Sequence, residues 1–177
     1  IVSQLEHHSN ILPWQLWCER NEGRLKVLPI NQDGSLKIEE LESLVTTKTA
    51  LIALTHVSNT LGVINPVKDI IKKAKALNTN IFVLIDGAQS VPHMNVDVKD
   101  MDCDFFVFSG HKMYAPTGSG VLFVKENLIN ALKQSRTGGG TIKTVSFEKT
   151  EYVEGPLRFE AGTPNIEAVV GLARACE

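Results

Sequence analysis

The sequence predicts an α/β fold, a mainly parallel, doubly wound sheet flanked by helices, and three observations carry the prediction. Two short runs, Ala50-Leu51-Ile52-Ala53-Leu54 and Ile81-Phe82-Val83-Leu84-Ile85, are apolar throughout and lack the alternation of a half-exposed strand; such runs suit parallel strands covered on both faces. Between them Val67, Ile70, Ile71 and Ala74 recur at helical spacing. Each apolar run ends in a polar cluster, and in open α/β sheets the ligand crevice lies outside the carboxyl ends of the strands.

The elements follow in order. Ile1 to Leu5 reads as a short strand ending in the polar turn Glu6-His7-His8-Ser9-Asn10, with Ser9 or Asn10 able to cap the next helix. That helix is predicted from Ile11 to Cys18, with Pro13 in its first turn, an apolar face of Leu12, Leu16 and the two tryptophans, and Gly23 as its stop. Leu25 to Ile30 reads as a strand, Asp33-Gly34 as a turn, and Ile38, Leu41, Leu44 and Val45 as a helix face. Pro66 opens a helix running to Asn78, and Asp104 to Phe108 is another buried strand. Val121 to Val124 follows too closely for a helical crossover, so this one strand is expected to run antiparallel. Glu126 to Gln134 reads as a helix, Gly138 to Leu157 as an irregular, mobile loop, and Pro164 to Cys176 as a closing helix.

Composition bounds the function classes. A chain of 177 residues with 43% hydrophobic and 21% charged residues can bury one sizeable core, and one domain is expected. A net charge of −2 without charge blocks argues against nucleic acid or an anionic membrane as partner. No apolar run approaches the roughly 20 residues of a membrane span. Cys18, Cys103 and Cys176 are scattered, have neither disulfide-framework nor zinc-site spacing, and fit a reducing compartment. The chain begins without Met inside an apolar stretch and ends in an amphipathic one, so both ends are expected to be cut.

The chemistry centres on Lys112 in Ser109-Gly110-His111-Lys112. A lysine delivered directly after a Phe-rich strand is expected to be partly desolvated, which favours the nucleophilic amine of a Schiff-base residue; a solvated lysine capping a strand is the plainer reading. Asp86, at the end of an apolar strand, would be costly to ionise without a partner such as a pyridinium nitrogen. A helix cap, a turn role or metal ligation are its alternatives. His7 read alone is a structural or surface histidine, Asn59 and Gln89 are loop amides, and Cys103 is buried packing. Gly138-Gly139-Gly140 has no following Lys-Ser/Thr and is not a phosphate loop.

At Gln4-Leu5-Glu6-His7-His8, Thr55-His56-Val57-Ser58-Asn59, Asp86-Gly87-Ala88-Gln89, Ser109-Gly110-His111-Lys112 and Arg158-Phe159-Glu160-Ala161-Gly162-Thr163-Pro164-Asn165, the sequence resembles the sulfur-mobilising (SUF) cysteine desulfurases and selenocysteine lyases. These are class V aminotransferases of fold type I, dependent on pyridoxal 5'-phosphate (PLP). The resemblance implies that residues 1–177 are the central part of the PLP-binding large domain, the N-terminal segment and the C-terminal small domain lying outside the chain.

It further implies that Lys112 forms the Schiff base and shuttles the α-proton, Asp86 pairs the pyridinium nitrogen and His7 stacks on the ring and takes part in proton transfer. Asn59 and Gln89 would bind the phenolic oxygen, and Ser109 and His111 the phosphate. Thr163 would reach the phosphate of a neighbouring subunit, hence a homodimer. His56 is expected either near the cofactor or organising its loop. The implied reaction turns L-cysteine into L-alanine and an enzyme persulfide, handed to a sulfur-acceptor protein for iron-sulfur cluster assembly. The thiolate and the carboxylate-binding arginine lie outside the chain, so the piece alone is expected to show little turnover. Selenocysteine lyase, another class V aminotransferase or lyase, and a non-catalytic dimerisation or docking module are the competing readings. The expected location is cytoplasmic, with an organellar one left open.

Overall fold

The computed structural model describes residues 1–177. Six strands, β1 (Val2–Ser3), β2 (Val27–Leu28), β3 (Leu51–Thr55), β4 (Phe82–Asp86), β5 (Phe105–Ser109) and β6 (Gly120–Val124), form one sheet in the order β2-β1-β3-β4-β5-β6. All neighbours pair in parallel except β6, which runs antiparallel to β5 as its short connection requires. The chain passes from β1 to β2 on one side, then crosses to β3 on the other. This reversal leaves a crevice between the carboxyl ends of β1 and β3, the position where doubly wound sheets take their ligands.

The helices are α1 (Leu12–Arg20), α2 (Leu41–Leu44), α3 (Val67–Leu77), α4 (Val98–Met101), α5 (Glu126–Ile129) and α6 (Ile166–Ala175). On α3 the predicted stripe Val67, Ile70, Ile71 and Ala74 is wholly buried. It meets Ile52, Leu54, Val83, Ile85 and Phe106 from alternate positions of β3, β4 and β5 in one continuous core. Removal of each such side chain from water contributes about 1.5–3 kcal/mol, so this layer fixes the strand register. Asn78 ends α3 and ties it to the turn that leads into β3, its Nδ2 donating to the carbonyls of Thr46 and Thr49, both at 3.0 Å.

At the amino end of the sheet Asp104 accepts from the Val83 N–H at 2.8 Å and faces Lys75 and Lys125 at 3.3 and 3.5 Å. Cys103, fully buried beside it, confirms the packing role expected for it.

Several elements depart from expectation. The first strand shrinks to two residues because the Leu5 N–H turns back to Ser3 Oγ at 3.1 Å. Helix α1 leaves through Glu22 at φ +53°, so the left-handed position belongs to Glu22 and not to Gly23. The apolar face of α1 is largely uncovered in this chain, with Trp17 55% exposed. Strand β4 is buried on one face only, its Phe82 standing 43% exposed on the other. Instead of running to Gln134, α5 stops at Ile129; the Arg158 guanidinium takes the Asn130 carbonyl, which a continuing helix would offer to the Gln134 N–H, and also Gln134 Oε1. The segment read as a loop contains a hairpin, β7 (Ile142–Val145) with β8 (Thr150–Tyr152). Its turn is organised by Ser146 Oγ, which accepts from the N–H groups of Glu148 and Lys149.

Candidate functional site

Register brings the carboxyl ends of four strands to one edge. Thr55, the last residue of β3, pairs with Asp86, the last of β4, and Asp86 pairs with Val107 of β5. The chain after β5 turns at once into a 3₁₀ turn, Gly110–Met113, that carries His111 and Lys112. His7 caps a second 3₁₀ turn, His8–Asn10, just beyond β1. His7, Asp86, Ser109, His111 and Lys112 therefore share the sheet edge that the strand order marks out.

Two glycines let the backbone lie that close. A Cβ on Gly87 would stand 1.9 Å from Phe106 Cζ, and one on Gly110 would stand 2.2 Å from Ser119 Oγ. After the lysine turn, Tyr114 adopts φ +63° and Pro116 packs against Gly171 of α6, where a Cβ would lie 2.4 Å from Pro116 Cδ. The turn bearing Lys112 is thus buttressed by the last helix.

Asp86, His7, His111 and Lys112 form no ion pair. Asp86 Oδ1 accepts from the Ala88 N–H at 2.9 Å, and no cationic side chain pairs with the carboxylate. His7 Nδ1 accepts from the Ser9 N–H at 3.2 Å and lies 2.8 Å from Ser9 Oγ, a pairing that favours the tautomer with its proton on Nε2. Lys112 is half-buried and His111 exposed. Gln89 is half-buried, and Asn59 is exposed in the turn that follows β3. Thr163 is exposed in the Gly162–Pro164 turn, beside Gly139 and Gly140, and makes no hydrogen bond to the others.

His56 is buried, and burial lowers its pKa. Its backbone holds the loop, the N–H donating to the Asp86 carbonyl and the C=O accepting from Asn65. Its Nδ1 has no hydrogen-bond partner, and the ring lines a shallow cleft with Asn65, Lys68 and Asp97. The bonds that organise the loop are made by the backbone of His56 and not by its ring.

One participant was given no role by the sequence reading. Glu6 is buried, only 8% exposed, and bridges the crevice between β1 and β3. Its Oε1 accepts from Ser3 Oγ at 2.5 Å and the Thr55 N–H at 3.0 Å, and its Oε2 from Asn10 Nδ2 at 2.6 Å. Burial raises its pKa, the donors oppose that rise, and the charge of Asp86 adds to it. The Ser-x-x-Glu spacing of Ser3 and Glu6 was the available signal; the contact with Thr55, 49 residues away, had none.

The groups of this edge have the chemistry a PLP-type cofactor needs, namely an amine for the aldehyde, a carboxylate for the ring nitrogen, and a hydroxyl with an imidazole for the phosphate. The family model for class-V aminotransferases matches residues 1–177. Among curated relatives, the cysteine desulfurase of Enterobacter sp. (strain 638) is 50% identical over the whole of this chain and 43% of its own length. Among solved structures, the cysteine desulfurase CsdA of Escherichia coli superposes with a TM-score of 0.95 at 36% identity, covering 99% of this chain and 43% of that one. A C-DES mutant with glycine covalently linked to its PLP cofactor shares the fold at TM-score 0.86 and 24% identity, over 99% of this chain and 47% of that one. The chain spans less than half the length of these proteins.

Proposed function

The chain belongs to the class-V aminotransferase family, and from that premise we propose that it forms the central part of the large domain of a PLP-dependent cysteine desulfurase. The observation that carries the reading is the convergence of Asp86 and the Lys112 turn at the carboxyl edge of adjacent strands β4 and β5.

When bound, the cofactor supplies an electron sink for the bonding pair left on the substrate α-carbon. Lys112 would anchor its aldehyde carbon and, once displaced by substrate, move the α-proton. Asp86 would keep the ring nitrogen protonated; a pair of this kind is worth roughly 4 kcal/mol of gross Coulomb energy at about 4 Å and an effective dielectric of 20. His7 would cover the ring with its Nε2 proton available for transfer. Ser109 and His111 would bind the phosphate, and Asn59 and Gln89 the phenolic oxygen. Thr163 would serve the phosphate of a second copy, making the intact protein a homodimer.

The sulfur step needs a protein thiolate that attacks the substrate sulfur, forming an S–S bond as the C–S bond breaks. The α-carbon fragment leaves as L-alanine after protonation, and the persulfide passes to a sulfur-acceptor protein. Cys103 is unsuited to that attack. It is buried before β5, whereas Lys112 follows β5, and five strand residues span roughly 17 Å. We assign the thiolate and the substrate-carboxylate arginine to parts of the intact protein outside residues 1–177, and its location to the cytoplasm.

The test is product analysis of the intact protein supplied with PLP and L-cysteine. One L-alanine for each sulfane sulfur supports the reading. Pyruvate and ammonia as the carbon and nitrogen products would make it a lyase instead. A strong preference for selenocysteine would make it a selenocysteine lyase.

A further inference from the structure

The three hydrogen-bond partners of Glu6 are a hydroxyl, a backbone N–H and a side-chain amide nitrogen. Ser3 Oγ accepts from the Leu5 N–H and donates its own proton to Glu6. The Thr55 donor is a backbone amide. Asn10 is oriented by its other end, its Oδ1 accepting from Trp14 Nε1 at 3.1 Å, so the amide nitrogen must face Glu6. The Thr55 N–H and the Asn10 Nδ2 can only donate, and a carboxylate accepts from both as well as from Ser3; a proton on Glu6 could go only to Ser3 Oγ, whose own proton would then turn away. No lysine, arginine or histidine forms an ion pair with Glu6. Buried carboxylates without a cation are costly, so this one is expected to have a task that requires it.

The geometry identifies that task. The directional chain Trp14 to Asn10 to Glu6 spans the turn that carries His7, beginning on α1 and ending on the residue before His7. The Ser3 and Thr55 donors clamp the same carboxylate to β1 and β3. We propose that Glu6 is a positioning residue that, as an acceptor-only group fed by Trp14 and Asn10, holds His7 at the crevice between β1 and β3. The inference rests on the reading of the edge as a PLP site.

The test is a pair of substitutions in the intact protein. Glu6→Gln keeps the shape but turns an N–H₂ toward donors whichever way the amide lies. It should move the Trp14 indole N–H resonance, assigned with Trp17→Phe as background, with or without cofactor. It should also weaken the visible circular dichroism of bound PLP by about half, and lower kcat about tenfold with little change in KM, the loss of about one charge-assisted hydrogen bond's effect.

Adding Asn10→Asp restores complementarity, because the amide introduced at position 6 then donates to the carboxylate introduced at position 10, which still accepts from Trp14. The double variant should recover all three signals to within about threefold of wild type. If Glu6→Gln does not fold, Trp14→Phe breaks the far end of the chain and should weaken the dichroism in the same sense. Wild-type dichroism in Glu6→Gln or, failing that variant, in Trp14→Phe, or a double variant no better than Glu6→Gln, overturns the proposal. A wild-type protein that shows no visible PLP band overturns the cofactor reading itself, which separates the two failures.

Discussion

Gly87 lies against the ring of Phe106, at a spacing where a Cβ would stand 1.9 Å from Cζ and 2.4 Å from Cε1. Both sit where core and site meet. Phe106 belongs to the buried layer under α3, and Gly87 follows Asp86 directly, its N–H donating to the Val107 carbonyl at 2.8 Å.

Gly87→Ala should therefore act on both. Overpacking of this kind costs about 1–3 kcal/mol, and the ring can relieve it only by leaving its place in the core. The expected outcome is a lower unfolding midpoint together with weaker PLP binding by the intact protein. Combining it with Phe106→Leu should cost less than the sum of the two single losses, measured by denaturant titration.

Gly171→Ala sets two effects against each other. An alanine in the middle of α6 raises helix propensity by about 1 kcal/mol. The new Cβ would meet the Pro116 ring at 2.4 and 2.6 Å, and a proline ring cannot swing aside. Overpacking at about 1–3 kcal/mol outweighs the gain. Thermal unfolding should show net destabilisation, and the loss should extend to PLP affinity because Pro116 follows the Lys112 turn.

Cys103 should be inert. Burial pushes its thiol from an ordinary value of 9.0 up to about 11, so it stays protonated at neutral pH. Mass spectrometry after iodoacetamide at pH 8 should find Cys176, which is exposed, modified and Cys103 unmodified until denaturant is added. The linkage has a definite sign. A folded-state pKa above the unfolded one contributes stability fully present below pH 9 and lost as pH rises through about 11. Cys103→Ala should flatten that part of the alkaline limb.

The elements that could be read from the sequence were those whose pattern is local. The stripe on α3, the apolar runs of β3 and β4, and the antiparallel β6 all follow from spacing within a few residues. The β7–β8 hairpin was missed because its strands are short and carry Lys143, Thr144 and Glu151 among their apolar residues. The length of α5 was missed because Arg158, far along the chain, takes the Asn130 carbonyl just past its end. The same division holds at the site. Asp86 and Lys112 stand out as polar residues at the ends of apolar strands, whereas Glu6 acquires its meaning from Thr55 across the crevice.

Lys112 is the residue proposed to hold the cofactor, and borohydride trapping decides it. The intact protein is loaded with PLP, the imine carbon–nitrogen double bond is reduced to a stable secondary amine, and the labelled peptide is sequenced by mass spectrometry. A phosphopyridoxyl adduct should appear on Lys112 and be absent from Lys112→Ala. An adduct on a different lysine of the wild-type protein, or an undiminished visible Schiff-base band in Lys112→Ala, would contradict it.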